Sequence, residues 1–188
     1  KAKRFIIATG SSPSVPPLPN IDKVPYLTNE TIFDLKETPK HLIVIGGGPI
    51  GLELAQSYKR LGSAVTVIAL GFLENEDPEL KDILLKSLKK EGINFKENAA
   101  IKDILQNEKG ININLETEVV TGSHLLIATG RKPNIEKLSL EKANVEFSKH
   151  GIKVGENLRT SNKSIYAIGD VTGWAGFTHK AGYDAGII

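Results

Sequence analysis

The chain contains no cysteine among its 188 residues. This excludes disulfide bonds, thiolate nucleophiles and thiolate metal ligands within it. Only four histidines are present, without the spacing of metal ligands, so we predict no metal site. No apolar run approaches the ~18 residues needed to cross a bilayer, and no secretory leader is recognisable. The sequence therefore predicts a cytoplasmic protein with no membrane partner.

The chain also has no large excess of positive or negative charge. The formal net charge is only +2, because lysines are scattered among glutamates, and this argues against a nucleic-acid-binding surface. The apolar fraction of 40% is nevertheless sufficient for a buried core. The chain opens inside a strand-like run and stops inside a helix-like run, so we expect it to be a fragment of a longer protein.

Residues 41–54, HLIVIGGGPIGLEL, carry the strongest functional signal. A strand-like apolar run is followed by Gly46, Gly48 and Gly51 at G-x-G-x-x-G spacing, and then by a helical pattern. Glycines at these positions allow a tight turn, the approach of a pyrophosphate to the backbone and close packing of helix on strand. The helix N-terminus offers free N–H groups and the positive end of its dipole to the phosphates.

The first helical turn belongs to the same predicted site. Pro49 suits this turn because its missing N–H sacrifices no hydrogen bond there, and Ile50 follows it. A G-x-G-x-x-G motif placed between a strand and a helix is a specific signal. We therefore predict that these residues bind the pyrophosphate of a dinucleotide. The alternative is a glycine turn with a purely structural role.

The rest of the pattern predicts an α/β fold, with a Rossmann-like parallel sheet and a β-meander. A helix is expected to begin at Asp77-Pro78 and to carry an apolar stripe of Leu80, Ile83, Leu84 and Leu88. Strands are predicted at 4–10, 64–69, 93–97, 101–106, 111–120, 125–130 and 164–168, and a short helix at 31–35.

A repeated strand ending points to nucleotide contacts. FIIATGSSP and LLIATGRKP each end a hydrophobic strand in Ala-Thr-Gly. Ligands lie at the carboxyl ends of the strands in open parallel sheets, so Thr9, Gly10 and Gly130 are candidate contacts. Two copies around one glycine motif favour two nucleotide sites. An ordinary strand-to-turn ending is the alternative.

The choice between NADH and NADPH is open at this level. An acidic residue about 20 positions beyond the glycines normally holds the adenosine ribose of NAD, whereas arginine there accepts the extra phosphate of NADP. Here the predicted strand ends in Ala69, a candidate contact, followed by Leu70. Glu74 and Glu76 lie slightly downstream, where they could oppose a phosphate.

The order and spacing of ATGSSP, IGGGPIGLELA, IATGRKPN and IYAIGDV resemble the pyridine nucleotide-disulfide oxidoreductases, a family of FAD-dependent enzymes. VTVIALGFLENEDPEL and LRTSNKSIYAIGD resemble its mercuric-reductase branch most. The resemblance implies a partial FAD-domain segment and linker at 1–35, a NAD(P)-binding domain at 36–134 and a return to the FAD domain at 135–188. The FAD site would be incomplete and the redox cysteines absent, so we expect the chain alone to be inactive.

The resemblance also implies roles for individual residues near the flavin. Asp170 would accept hydrogen bonds from the FAD ribityl chain, with Gly169 allowing its close approach, whereas an ordinary Gly-Asp turn is the alternative. Thr178 would begin a helix whose N–H groups face the flavin, and Thr9 and Gly10 would line the same site. His179 is more consistent with a capping or packing residue than with a catalytic base.

Two further residues are implied beside the nicotinamide. Glu53 would pair with a lysine of the absent N-terminal segment and is the catalytic candidate, although a carboxylate is also favoured there by the helix dipole. Arg131, with Gly130, would line the domain junction next to NAD(P)H.

The resemblance implies an activity for the intact protein. Hydride would pass from NAD(P)H to the flavin, then to a redox disulfide and a disulfide or mercuric-ion substrate, in a homodimer formed through the absent C-terminal domain. Two alternatives remain open. One is a flavin-dependent NADH oxidase or quinone reductase without the cysteine pair, and the other is a non-catalytic nucleotide-binding module.

Overall fold

A computed structural model describes residues 2–173 and 176–188 of the chain. The residues form two compact units, one of residues 1–12 with 131–188 and the other of residues 13–130. In chain order, the strands are β1 (Phe5–Ile7), β2 (Ser11–Pro13), β3 (His41–Ile45), β4 (Ala64–Ala69), β5 (Asn94–Glu97), β6 (Asp103–Asn107), β7 (Gly110–Asn114), β8 (Val119–Gly122), β9 (His124–Ile127), β10 (Arg131–Pro133), β11 (Phe147–Ser148), β12 (Gly151–Ile152) and β13 (Ile165–Ala167). The helices are α1 (Pro49–Arg60), α2 (Pro78–Lys90) and α3 (Thr178–Ile187), with short 3-10 helices at Ile21–Lys23, Ile32–Asp34, Leu140–Ala143 and Gly169–Thr172.

A parallel sheet with the strand order β5-β4-β3-β9 forms the centre of the 13–130 unit. β3 lies between β4 and β9, so that Ile45 is opposite Ile68 on one side and Ile127 on the other. Strands that are buried on both faces require continuous apolar sequence, and β3 and β9 have it. The predicted α/β fold, with its parallel sheet and antiparallel strands, is confirmed.

The two faces of this sheet have separate cores. Leu42 and Val44 pack in one cluster with residues of α1 and α2, including Leu88. Ile43 and Ile45 pack in another cluster with residues of the antiparallel sheet β6-β7-β8. This alternation follows from the two-residue period of a strand. β3 is therefore held between two buried layers, and the turn at its carboxyl end has a fixed position.

Residues 13–35 pack with the central sheet, whereas the sequence grouped them with residues 1–12. Leu27 forms a bridge to β9, because its N–H donates to the Leu125 carbonyl (2.7 Å) and its carbonyl accepts from the Ile127 N–H (2.9 Å). Ile32 is fully buried in the core. The unit of residues 13–130 ends at residue 130, whereas the sequence predicted that its domain would end at residue 134. The assignment of the predicted ranges to cofactor domains stays a prediction.

The meander has three strands where the sequence predicted two. The predicted strand at 111–120 is wrong as a single element, because a turn separates β7 from β8. The Leu115 N–H donates to the Glu118 carbonyl at 2.9 Å and closes this turn. Leu115 itself is buried, so its apolar side chain concealed the turn within an alternating pattern.

The apolar stripe of α2 is buried only at its end. Leu88 is 1% exposed, whereas Leu80 and Ile83 are 67% and 65% exposed. Helical periodicity predicts which residues share a face, but it does not predict how much of that face is covered. The start of the helix is as predicted, because the Asp77 carboxylate accepts from the Glu79 N–H at 2.9 Å.

The unit of residues 1–12 and 131–188 is built from short elements. β1 pairs in parallel with β13, and β10 pairs with β2. Among its described residues, Leu140, Val145, Ile152, Ala167 and Val171 are buried together in a core. Across the described residues, α1, α2 and α3 are each too short or too polar to traverse a membrane.

We expect acid to destabilise the 13–130 unit through His41. Its Nε2 lies 2.9 Å from Thr66 Oγ1, and burial lowers the pKa of its ring more than a hydrogen bond at the Thr121 backbone raises it. The unfolded chain therefore binds the proton more readily, so the free energy of unfolding should fall as the pH drops below about 6.5. Urea unfolding across this range should show the fall.

His41→Gln should remove this part of the pH dependence. His150→Gln, at an exposed histidine of the other unit, is the matched control and should retain it. A His41→Gln protein with the parent's pH profile would contradict the expectation.

Candidate functional site

The turn after β3 requires glycine for two different reasons. Gly46 has φ +126°, a conformation that side chains disfavour, and an added Cβ would collide with the Ala128 carbonyl oxygen. Its N–H donates to the Ile68 carbonyl at 2.9 Å. At Gly51 an added Cβ would collide with the Gly46 carbonyl oxygen. Gly46 and Gly51 therefore permit the close packing of α1 against the end of the sheet.

Gly48 is different, because it faces open space. It is the N-cap of α1, with φ −81° and ψ 176°, and an added Cβ would meet no atom within 4 Å. Its carbonyl accepts the first helical hydrogen bond, from the Leu52 N–H at 3.1 Å. No side-chain capping bond is formed at this helix end within the described chain. The N–H groups of the first turn are thus available to a ligand.

A cleft of about 780 Å³ adjoins this turn within the 13–130 unit. Its volume is within the usual range for small-molecule and cofactor sites. The cleft lies at the carboxyl ends of β3, β4 and β9, where ligands of parallel sheets bind. It brings together six of the predicted residues, namely Gly46, Gly48, Pro49, Ile50, Ala69 and Gly130.

The segment after β4 forms another wall of the cleft. Phe72 is 2% exposed and contacts Phe95 edge-on, with 5.1 Å between ring centroids. The Leu73 N–H donates to the Gly47 carbonyl at 3.0 Å. Together these contacts fix the segment against the glycine turn. Glu74 follows directly and lines the cleft.

Glu53 does not line this cleft. It is exposed on α1 and borders a separate groove of about 250 Å³ between α1 and α2, whose apolar wall includes Leu52, Leu80 and Leu84. The structure therefore does not bring Glu53 together with the glycine-turn residues in one cleft. Its role beside the nicotinamide stays a prediction.

In the other unit, Asp170 is held by a residue that the sequence did not single out. Ser11 Oγ donates to Asp170 Oδ2 at 2.6 Å, and Arg131 Nε donates to Ser11 Oγ at 2.7 Å. Arg131, predicted beside NAD(P)H, is thus linked through Ser11 to Asp170. The serine after the first Ala-Thr-Gly was the available signal, but its partner lies 159 residues away.

Thr9 and Gly10 form hydrogen bonds with Asn134, a residue far away in the sequence. Thr9 Oγ1 donates to the Asn134 carbonyl at 2.7 Å, and Asn134 Nδ2 donates to the Thr9 carbonyl at 2.9 Å. The Gly10 carbonyl accepts from the Asn134 N–H at 2.9 Å. Thr178 begins α3, as predicted, and is exposed.

A buried carboxylate supports the turn that carries Gly169 and Asp170. Asp184 is 1% exposed, and its Oδ2 accepts from the Gly169 N–H at 3.0 Å. Lys180 donates to both carboxylate oxygens. Burial raises the pKa of the Asp184 carboxyl, but the hydrogen bonds and the charge of Lys180 outweigh it and hold this pKa below its usual value. The i, i+4 spacing of Lys180 and Asp184 was the signal in the sequence.

No cluster of three or more histidine, aspartate or glutamate side chains within residues 2–173 and 176–188 is arranged to bind a metal ion.

Comparison with known proteins gives consistent results along the chain. The sequence profile of the pyridine nucleotide-disulphide oxidoreductase family matches residues 1–185. A mercuric reductase of Lysinibacillus sphaericus is 42% identical over 194 aligned residues, which cover 100% of this chain and 36% of that protein. A dihydrolipoyl dehydrogenase of Geobacillus stearothermophilus is 36% identical, covering 97% of this chain and 40% of that protein.

A solved structure agrees with these matches. The Cu(II) complex of the HOCl-induced flavoprotein disulfide reductase RclA from Escherichia coli is similar with a TM-score of 0.94 and 32% identity. The match covers 100% of this chain and 44% of that one. The chain thus spans less than half the length of these relatives.

Proposed function

Because this chain belongs to the pyridine nucleotide-disulphide oxidoreductase family, we propose that it binds NADH or NADPH in the cleft of its 13–130 unit. The family resemblance seen in the sequence is confirmed by the profile match and by the relatives. The observation that carries the proposal is Gly48, which leaves the N-terminus of α1 open towards space at the end of a central parallel strand.

The backbone of the first turn of α1 would hold the pyrophosphate. Its N–H groups donate to the phosphate oxygens, and the helix dipole favours the negative charge. Gly46 shapes the turn, and Gly48 lets the phosphates reach the backbone. Pro49 and Ile50 line the same end of the cleft.

We also propose that the other unit contributes part of an FAD site. The Asp170 carboxylate would accept hydrogen bonds from ribityl hydroxyls, and Ser11 with Arg131 would orient it. A Cβ added at Gly176 would approach Asp170 Oδ2 to 3.0 Å, so the backbone passes close to this carboxylate. Thr9, Gly10, Gly169 and Thr178 would lie near the same cofactor. When bound, NAD(P)H supplies a hydride and FAD accepts it.

We also propose an activity for the intact protein on the basis of these two sites. Relatives that match 97% or more of the chain are named mercuric reductase and dihydrolipoyl dehydrogenase, which favours a flavoprotein reductase of a disulfide or metal-ion substrate. They do not favour the NADH oxidase, the quinone reductase or the non-catalytic module. The chain has no cysteine, so a redox pair would come from outside it. We propose a cytoplasmic homodimer for the intact protein and no turnover by this chain alone.

Titration calorimetry of the purified chain tests the nucleotide site. NADH or NADPH should bind at one saturable site with a dissociation constant on the order of micromolar, as for typical enzyme ligands. The purified chain should show no stoichiometric flavin absorbance. Absence of binding by both nucleotides would contradict the proposal.

A further inference from the structure

The end of β4 carries no acidic residue, whereas the segment that follows it carries Glu74 and Glu76. Dinucleotide sites selective for NAD carry a carboxylate about 20 residues beyond the glycine motif, where it accepts hydrogen bonds from the adenosine ribose. Ala69 lies in this region, and its methyl side chain offers no polar group to a ribose. Glu74 lines the same cleft together with Ala69.

The carboxylate of Glu74 is directed by Gly71. A Cβ added at Gly71 would collide with Glu74 Oε1 and would also crowd its Cδ and Cγ atoms, at 3.0 and 3.1 Å. The side chain of Glu74 therefore folds back over Gly71 towards the end of β4. Phe72 and the Leu73 N–H bond to the Gly47 carbonyl fix the intervening backbone. The backbone of this segment therefore places Glu74 beside the end of β4.

The charges of the cleft favour one nucleotide. Glu74 and Glu76 are its charged lining residues, and neither lysine nor arginine is present among the described side chains that line it. A ribose with free hydroxyls can donate two hydrogen bonds to a carboxylate. A 2′-phosphate at the same place would instead face like charge without a cationic partner.

We infer that Glu74 makes this cleft selective for NADH over NADPH, in place of the acidic residue that Ala69 does not provide. This inference rests on the proposed dinucleotide site and names the nucleotide that the site takes.

Calorimetric titration of the 188-residue chain with NADH and with NADPH tests it. The parent should bind NADH more tightly, and Glu74→Gln should reduce the ratio of the two affinities by about tenfold, the effect of one charge-assisted hydrogen bond. Glu108→Gln, in the turn between β6 and β7, makes the same change in net charge away from the cleft and should keep the parent ratio.

Gly71→Ala tests the positioning. Gly71 does not have a positive φ, so alanine is compatible with its backbone, and the flexible end of Glu74 must move instead. This variant should lower the preference for NADH in the same direction as Glu74→Gln.

These titrations distinguish the role of Glu74 from the existence of the dinucleotide site. An unchanged ratio in Glu74→Gln, or a parent that binds both nucleotides equally, would overturn the inference alone. A parent that binds neither nucleotide would overturn the dinucleotide site and the inference with it.

Discussion

Gly48→Val is expected to weaken the binding of NADH about a hundredfold, or about 2.7 kcal/mol. The branched side chain would occupy the open space beside the N-terminus of α1, where the pyrophosphate must reach the N–H groups. No protein atom lies within 4 Å of the new Cβ, so the fold should survive, and the free energy of unfolding should fall by only about 1 kcal/mol because valine is a poorer N-cap than glycine. Calorimetric titration and urea unfolding measure the two quantities.

Gly46→Val is the matched comparison, and unlike Gly48→Val it should strongly destabilise the fold. A valine there must adopt φ +126° and collides with the Ala128 carbonyl, which is held by the sheet. We expect a loss of about 3 kcal/mol or more in the free energy of unfolding. If Gly48→Val bound NADH as tightly as the parent, the glycine turn would not be the phosphate site.

Asp184→Ala should destabilise the unit of residues 1–12 and 131–188 by about 1 to 3 kcal/mol, because it removes a buried carboxylate that accepts hydrogen bonds from the Gly169 N–H and from Lys180. The Gly169 N–H would lose its acceptor in a buried place, and Lys180 would lose its counter-charge. Hydrogen exchange of the β13 amides during urea titration reports on this unit. Asp184→Asn keeps an acceptor for the Gly169 N–H, so it should lower the free energy of unfolding by less than Asp184→Ala does.

An exposed ion pair in the same unit provides the control. Lys153 and Glu146 are 79% and 65% exposed, so Glu146→Ala should change stability by about 0.5 kcal/mol or less. If Asp184→Ala and Glu146→Ala had equal effects, the buried carboxylate would not support the Gly169 turn.

The lowered pKa of Asp184 predicts that this unit loses stability in acid. Its pKa is lower in the folded than in the unfolded protein, so its stabilisation is present above the unfolded value of about 3.9 and is lost as the pH falls through the folded value. Asp184→Asn should remove this component.

Local signals were sufficient to predict the glycine turn after β3 and several elements around it. β4 was predicted with its observed bounds, and α2 begins at the predicted Asp77 cap. These features depend on side-chain alternation, on proline and glycine, and on capping groups a few residues away. Of the three glycines in the G-x-G-x-x-G motif, Gly46 and Gly48 line the cleft, whereas Gly51 lies against the Gly46 carbonyl.

Features that depend on distant partners were not predictable. The proline-rich segment 13–35 has no periodicity, and its position depends on bonds from Leu27 to β9. Ser11 reaches Asp170 across 159 residues, and the direction of Glu74 depends on Gly71 lacking a side chain. None of these contacts leaves a periodic trace in the sequence, because each depends on how the chain folds back on itself.

The backbone amide resonances of the chain, followed during titration with NADH, would locate the bound pyrophosphate. If the pyrophosphate binds at the N-terminus of α1, the amides of Gly47, Gly48 and the first turn of α1 should shift and saturate together. Those of the β6–β7 turn at Asn107–Gly110 should not move, because this turn lies outside the cleft lining. Saturable shifts confined to other parts of the chain, with the Gly46–Gly51 amides unchanged, would show that the pyrophosphate does not bind at the N-terminus of α1.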